Sequence, residues 1–182
     1  RKNHRAGQSR KGITVHETDH SYNCAVLTIS DRGSRQERAD TSGPALVKIL
    51  DQYGFSLSAT ALVPDEIEDI QRVIIDWIDQ EGIDLIITTG GTGLSPRDIT
   101  TEATRPILDY EIPGISEAMR MGNITKTIKA ILSRGLAGTR QESIIINLPG
   151  SAKAATENLL VVINALPHAL YKLKGGQQDC GS

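Results

Sequence analysis

With 182 residues and a formal net charge of -2, the chain is long enough for one domain with a sizeable core. The near-neutral balance supplies no basic field for nucleic acid, and one Phe, one Trp and four Tyr leave no aromatic platform for single strands. No apolar run approaches the ~20 residues of a membrane span and no charged-then-apolar leader opens the sequence, so neither membrane nor nucleic acid is an expected partner and the cytoplasm is the expected location.

The chain begins at Arg1 without Met, so the native start is expected elsewhere. Residues 1–21 are polar, basic at first and aperiodic, and read as a flexible arm in which His4, His16 and His20 have no regular ligand spacing. An ordered domain is expected over 22–174, followed by a polar, glycine-containing tail over 175–182. The run CAVLTIS (24–30) has the continuous apolarity of a strand covered on both faces, with Cys24 a buried thiol in a reducing compartment. Residues 31–44 read as a loop. From Ser42 the pattern turns helical, with Pro44 in the first turn, Leu46, Ile49 and Leu50 at helical spacing, and an end near Tyr53-Gly54. A second strand is predicted over 55–66, and a helix from Asp65-Glu66 that aligns Ile67, Ile70, Val73, Ile74 and Trp77 and closes at Gly82. DLIITTGGTG (84–93) is a third strand running into glycines. Helices are predicted over Thr100–Asp109 and Glu111–Gly122. Strands are predicted over 130–140 and 143–151 with a turn at Gln141-Glu142, then a helix over 151–173 kinked before Pro167. Strands alternating with helices imply an α/β fold with a mostly parallel sheet and helices on both faces.

Four loops that follow strands are rich in chemistry-bearing residues: Ser30-Asp31-Arg32, Pro64-Asp65-Glu66, Gly90-Gly91-Thr92-Gly93 with Arg97-Asp98, and Asn147-Leu148-Pro149-Gly150-Ser151. In a parallel sheet they converge on one rim, where such folds bind ligands. Glycine lets the backbone approach a phosphate, but the loop has neither P-loop nor dinucleotide-fingerprint spacing, and alone it is equally a plain turn. Asp98 and Asp65 each precede a predicted helix. Each is either an N-cap, or a carboxylate for Mg2+, which typically takes one or two carboxylates plus substrate phosphates. Gly150 and Ser151 start the last helix, where free N–H groups favour anions and Lys153 could pair with one; Ser151 is equally an N-cap. Asp40-Thr41-Ser42-Gly43 repeats this ambiguity, with Ser42 the candidate cap. No Ser-His-Asp, Cys-His or zinc set is visible, and the chemistry that fits is metal-assisted phosphoryl or nucleotidyl transfer.

VLTISDRGS, LVPDE, TTGGTGLSPRDITTEAT, EIPG, AILSRGLAG and INLPGS, in that order, resemble the molybdopterin-binding Mog/MoaB family and the similar gephyrin G domain and its plant counterpart. The likeness runs from about Tyr22 to Lys174. It implies a three-layer α/β/α sandwich, usually trimeric, that adenylylates molybdopterin with Mg2+-ATP and releases pyrophosphate. It implies Asp65 and Asp98 as the essential carboxylates and Mg2+ ligands. It implies a nucleotide pocket lined by Gly90, Gly91, Thr92, Gly93, Ser133 and Arg134 and bordered by Asn147, Pro149, Gly150 and Ser151. Ser30, Asp31, Asp40, Ser42 and Gly43 would face the pterin and its dithiolene. Hand-over to a molybdate-inserting enzyme follows, since the chain shows no second large domain. The competing readings are a non-catalytic molybdopterin carrier or scaffold and a generic nucleotide-binding regulator; the paired carboxylates favour the enzyme, because a binder has no need of them.

Overall fold

The computed structural model describes residues 21–177, so the expectations for residues 1–20 and 178–182 lie outside it. Ser21, placed in the arm by the sequence, bonds through its hydroxyl to Ser56 Oγ at 2.6 Å. In chain order the elements are β1 (Asn23–Ile29), α1 (Asp31–Ser34), α2 (Ser42–Gln52), β2 (Ser56–Val63), α3 (Ile67–Asp79), β3 (Leu85–Thr89), α4 (Thr100–Thr104) and β4 (Tyr110–Glu111). There follow α5 (Pro113–Asn123), β5 (Ala137–Arg140), β6 (Ser143–Leu148), α6 (Ala152–Val162) and α7 (Leu166–Leu173). They build one six-stranded sheet in the order β2-β1-β3-β6-β5-β4.

The apolar strand runs are continuous because both faces are covered. Cys24 and Val26 of β1, Leu85 and Ile87 of β3, and Ile144, Ile146 and Leu148 of β6 pack under Leu46 and Leu50 of α2, Met119 of α5, Leu159 of α6 and Leu170 of α7. The alternate residues Ala25, Leu27 and Ile29, Ile86 and Ile145 meet Ile70, Ile74 and Trp77 of α3 and Ala103 of α4. The predicted three-layer α/β sandwich is therefore the observed one, its two cores separated by the period-two alternation of the strands. Cys24 is fully buried, and burial pushes its thiol pKa up to about 11. Among the described residues no helix is long and apolar enough to cross a membrane.

Several boundaries differ from the sequence reading. Residues 31–34 form a short helix because Ser30 caps it, its Oγ accepting from Gly33 N–H at 3.1 Å. The helix expected over Thr100–Asp109 tightens into a 3-10 turn over Arg105–Ile107, where Pro106 lacks the N–H an α-helix needs. Tyr110 and Glu111 form an edge strand on β5, and α5 starts only at Pro113. The strand expected over 130–140 begins inside a 3-10 turn (Ile128–Leu132); Arg134 N–H is drawn instead to the Thr92 carbonyl at 2.9 Å, and pairing starts at Ala137. β5 is antiparallel to β6, since two residues of turn, with Gln141 at φ 51°, allow no crossover. The last helix breaks where Pro167 approaches, as Val162 hands over to a 3-10 turn and then α7.

Arg140 holds the hairpin to α3: its Nε and Nη2 donate to Asp79 Oδ1 at 3.0 Å and Oδ2 at 2.6 Å. That bidentate bond holds the Asp79 carboxyl below the usual carboxylate range. A depressed folded pKa means stability that is present above the ordinary pKa and lost as pH falls through the depressed one. Asp79→Asn is therefore expected to lower the thermal midpoint at pH 7 by about 2–4 °C, and the gap to wild type to close below about pH 4. Differential scanning calorimetry at both pH values checks this.

Candidate active site

β1 pairs in parallel with β2 and β3, and β3 with β6, so their C-terminal ends line up: Ile29 lies opposite Val63, Thr28 opposite Thr89 and Thr89 opposite Leu148. The loops that follow leave the sheet side by side. Between β1 and β3, where the strand order reverses, they enclose a cavity of about 270 Å³. Ser30, Asp40, Ser42, Asp65, Gly90, Gly91, Asp98, Gly150 and Ser151 all reach its wall.

Gly90 and Gly91 make the close approach possible. Gly90 sits at φ 110°, and a Cβ there would lie 2.1 Å from the Ile29 carbonyl oxygen. Gly91 sits at φ 63°, and a Cβ there would lie 2.2 Å from Thr100 Oγ1 and 3.2 Å from Asp65 Oδ1. Thr100 fixes the turn by donating from its hydroxyl to the Gly90 carbonyl at 2.8 Å.

Neither aspartate is a helix cap. At α3 the capping position belongs to Glu66 and at α4 to Ile99, and neither makes a side-chain cap bond. Asp65, buried, accepts from Asp31 N–H through Oδ2 at 2.8 Å. Asp98 accepts from Ser95 N–H through Oδ2 at 2.7 Å. In both, Oδ1 has no hydrogen-bond partner among the described residues. Burial raises the Asp65 pKa, and the charges of Asp31 and Asp98 push the same way. Two anchored carboxylates, each with an open oxygen at one cavity, are the hard-donor pair that Mg2+ takes when substrate phosphates complete its shell. Among the described residues no three His, Cys, Asp or Glu form a protein-only cage.

The other expected site residues divide. Gly90, Gly91, Gly150 and Ser151 of the nucleotide set line the cavity, and Ser151 also caps α6, accepting from Ala154 N–H at 3.2 Å. Thr92, Gly93, Ser133, Arg134, Asn147 and Pro149 stand behind the wall. Arg134 donates to the Gly93 carbonyl at 2.6 Å, to the Asp98 carbonyl and to the Glu102 carboxylate, pinning the loop of Asp98 from below. Asn147, 1% exposed, donates to Thr88 Oγ1 at 2.9 Å and Thr104 Oγ1 at 3.1 Å. The Pro149 carbonyl accepts from the Thr89 hydroxyl at 2.8 Å.

Of the pterin set, Ser30, Asp40 and Ser42 line the cavity. Asp40, not Ser42, caps α2: its Oδ1 accepts from Ser42 N–H and Gly43 N–H, both at 3.0 Å, while Oδ2 takes the Thr28 hydroxyl at 2.6 Å. Gly43 faces an adjoining apolar groove of about 500 Å³ with Val47 and Leu57. Asp31 turns away to Arg97. The sequence reading missed Thr28, Arg38 and Leu62, which also line the cavity. Arg38, the one cationic side chain on the wall among the described residues, sits in a segment with two other arginines and no periodicity, so nothing in the sequence distinguished it.

Comparison with known proteins identifies the family to which this fold belongs. The family profile described as "Probable molybdopterin binding domain" matches residues 25–168. The chain is 40% identical over 152 residues to the molybdopterin adenylyltransferase of Helicobacter pylori strain J99, covering 82% of this chain and 86% of that one. It is 46% identical over 155 residues to gephyrin of Dictyostelium discoideum, covering 80% of this chain but only 21% of that much longer protein. It likewise spans only 24% of the Drosophila melanogaster molybdenum cofactor synthesis protein cinnamon. Among solved structures, the molybdopterin biosynthesis enzyme MoaB of Thermus thermophilus superposes with a TM-score of 0.81 at 50% identity, over 85% of this chain and 97% of that one. Profile, relatives and superposition all span the strands and loops that build the cavity, and the chain belongs to the molybdopterin-binding domain family of molybdenum cofactor biosynthesis.

Proposed function

We propose that this chain is a molybdopterin adenylyltransferase. The observation that carries the reading is the pair of open oxygens on Asp65 and Asp98 at one glycine-backed cavity. An all-purpose binder gains nothing from burying a carboxylate whose ionised form is disfavoured. The names of relatives of which the chain covers 86% and 83% support the same reaction.

In the proposed step a phosphate oxygen of molybdopterin attacks the α-phosphorus of ATP. A new P–O bond forms as the bond from the α-phosphorus to the bridging oxygen breaks, and pyrophosphate leaves with that electron pair. Asp65 and Asp98 would hold Mg2+, which would supply neutralisation of phosphate charge. Gly91 and Gly150 bring backbone N–H groups to the wall for the phosphates, Arg38 adds a positive charge, and Ser30, Asp40 and Ser42 supply polar groups toward the pterin. The protein works by positioning and charge, with no covalent intermediate. The reading includes a homotrimer in the cytoplasm that passes its product to a molybdate-inserting enzyme. The exposed apolar side chains of Met121, Ile128 and Ile131 support self-association.

Pyrophosphate release on incubation with molybdopterin, Mg2+ and ATP tests this. Wild type is expected to release pyrophosphate only when molybdopterin is present. Asp98→Asn is expected to slow release by about 10²–10³-fold while molybdopterin affinity stays within a few-fold. Tight molybdopterin binding without any pyrophosphate would establish the carrier instead.

A second outcome follows from the raised Asp65 pKa. The cost of its ionised form is absent below the ordinary carboxylate pKa and grows as pH rises through the raised value. Without metal, Asp65→Asn is expected to melt about 2–4 °C above wild type at neutral pH, the gap closing at about pH 4. A variant that melts lower at neutral pH would contradict this.

A further inference from the structure

Arg97 precedes Asp98 and does not line the cavity, yet its side chain makes three hydrogen bonds to the neighbouring loops. Its Nε donates to Asp31 Oδ2 at 2.9 Å and its Nη2 to Asp31 Oδ1 at 2.9 Å and Glu66 Oε1 at 2.8 Å. Asp31 in turn grips Asp65 through its backbone: Asp31 N–H donates to Asp65 Oδ2 at 2.8 Å, and Asp65 N–H donates to Asp31 Oδ1 at 3.1 Å. Asp31 Oδ1 thus serves Arg97 and the Asp65 backbone together. Among the described residues, these Arg97 bonds are the only side-chain hydrogen bonds between loop 93–98 and the loops that hold Asp31 and Asp65.

The fork contributes little to global stability, because the Arg97 side chain is 52% exposed and a pair in water is screened. Its bidentate geometry nonetheless fixes direction as well as distance. Arg134 holds the Asp98 loop from the other side through the Gly93 and Asp98 carbonyls. Asp98 is therefore located between two arginines, and among the described residues Arg97 makes the only side-chain hydrogen bonds from its loop toward Asp31 and Asp65.

We propose that Arg97, acting through Asp31, sets the separation of Asp65 and Asp98 and is the positioning residue for the cation they share. This rests on the metal-assisted reading above. It touches no substrate; it couples three loops so that two open oxygens stay in range of one ion.

The test uses Mn2+ as the probe, titrated calorimetrically into the full chain holding a non-hydrolysable ATP analogue, beside thermal melts of the ligand-free protein. Arg97→Ala is expected to weaken Mn2+ by about 10–100-fold and to shift the melting midpoint by less than about 4 °C. Arg97→Lys, which keeps the charge but loses the fork, is expected not to restore Mn2+ affinity. Asp31→Asn combined with Arg97→Ala is expected to be no worse than Arg97→Ala alone, the signature of one pathway. Unchanged Mn2+ affinity in Arg97→Ala would overturn the proposal, as would full rescue by lysine. So would an equal loss of analogue binding without metal, which would make Arg97 a phosphate ligand. If Arg97→Ala does not fold, a purely structural role is indicated unless folded Arg97→Lys shows the Mn2+ loss. Wild type that binds no Mn2+ would instead sink the proposed function itself.

Discussion

The C-terminal ends of β1, β2, β3 and β6 meet at one level because the four strands run parallel and in step, and the site depends on that alignment. The close passage of β3 over β1 tightens it: at Gly90 the two backbones are so near that even a methyl group would meet the Ile29 carbonyl. The interiors of β1, β3 and β6 are covered on both faces and spent on the two cores, so the wall is built from the loops and from strand-end residues such as Thr28, Leu62 and Thr89. Side chains separated by scores of residues in sequence, Asp40, Asp65, Asp98 and Ser151, thereby share one wall.

A cavity built this way carries an energetic conflict. Asp65 is buried and its ionised form is disfavoured, yet one of its oxygens is left without a partner at the point where charge is wanted. The surroundings hold the conflict in place. Asp31 clasps its backbone and other oxygen, Arg97 clasps Asp31, and Arg134 fixes the facing loop. Asp40 is fully engaged in capping α2 and bonding Thr28, so its role in the wall is to present a fixed acceptor rather than a free one. Asp65 and the loop of Asp98 are thus held by Asp31, Arg97 and Arg134, side chains that do not line the cavity.

Much of this was legible in the sequence because periodicity and glycine placement have strong physical causes. The unbroken apolarity of CAVLTI and SIII announces strands covered on both sides, and TTGGTG after the strand run DLII announces a sharp turn. What the sequence hid was partnership. Asp65 and Asp98 stand where helix caps stand, and only coordinates show that both decline that role. Arg134 carries a charge suited to phosphate, but its fork is consumed by two carbonyls and Glu102. Asn147 is polar, follows a strand and precedes a helix, yet its bonds go down to Thr88 and Thr104. The first part of the strand expected over 130–140 does not pair; there Arg134 N–H goes to the Thr92 carbonyl of the glycine loop, a long-range bond that no local pattern encodes.

The account stands on Asp65 and Asp98 gripping one cation together. Crystals grown with Mn2+ and a non-hydrolysable ATP analogue, measured at the manganese edge, address that directly. A single anomalous peak bonded to an oxygen of each aspartate and to the analogue's phosphates is the expected result. A peak on one aspartate alone, or manganese held only by the analogue with both carboxylates turned aside, would contradict it.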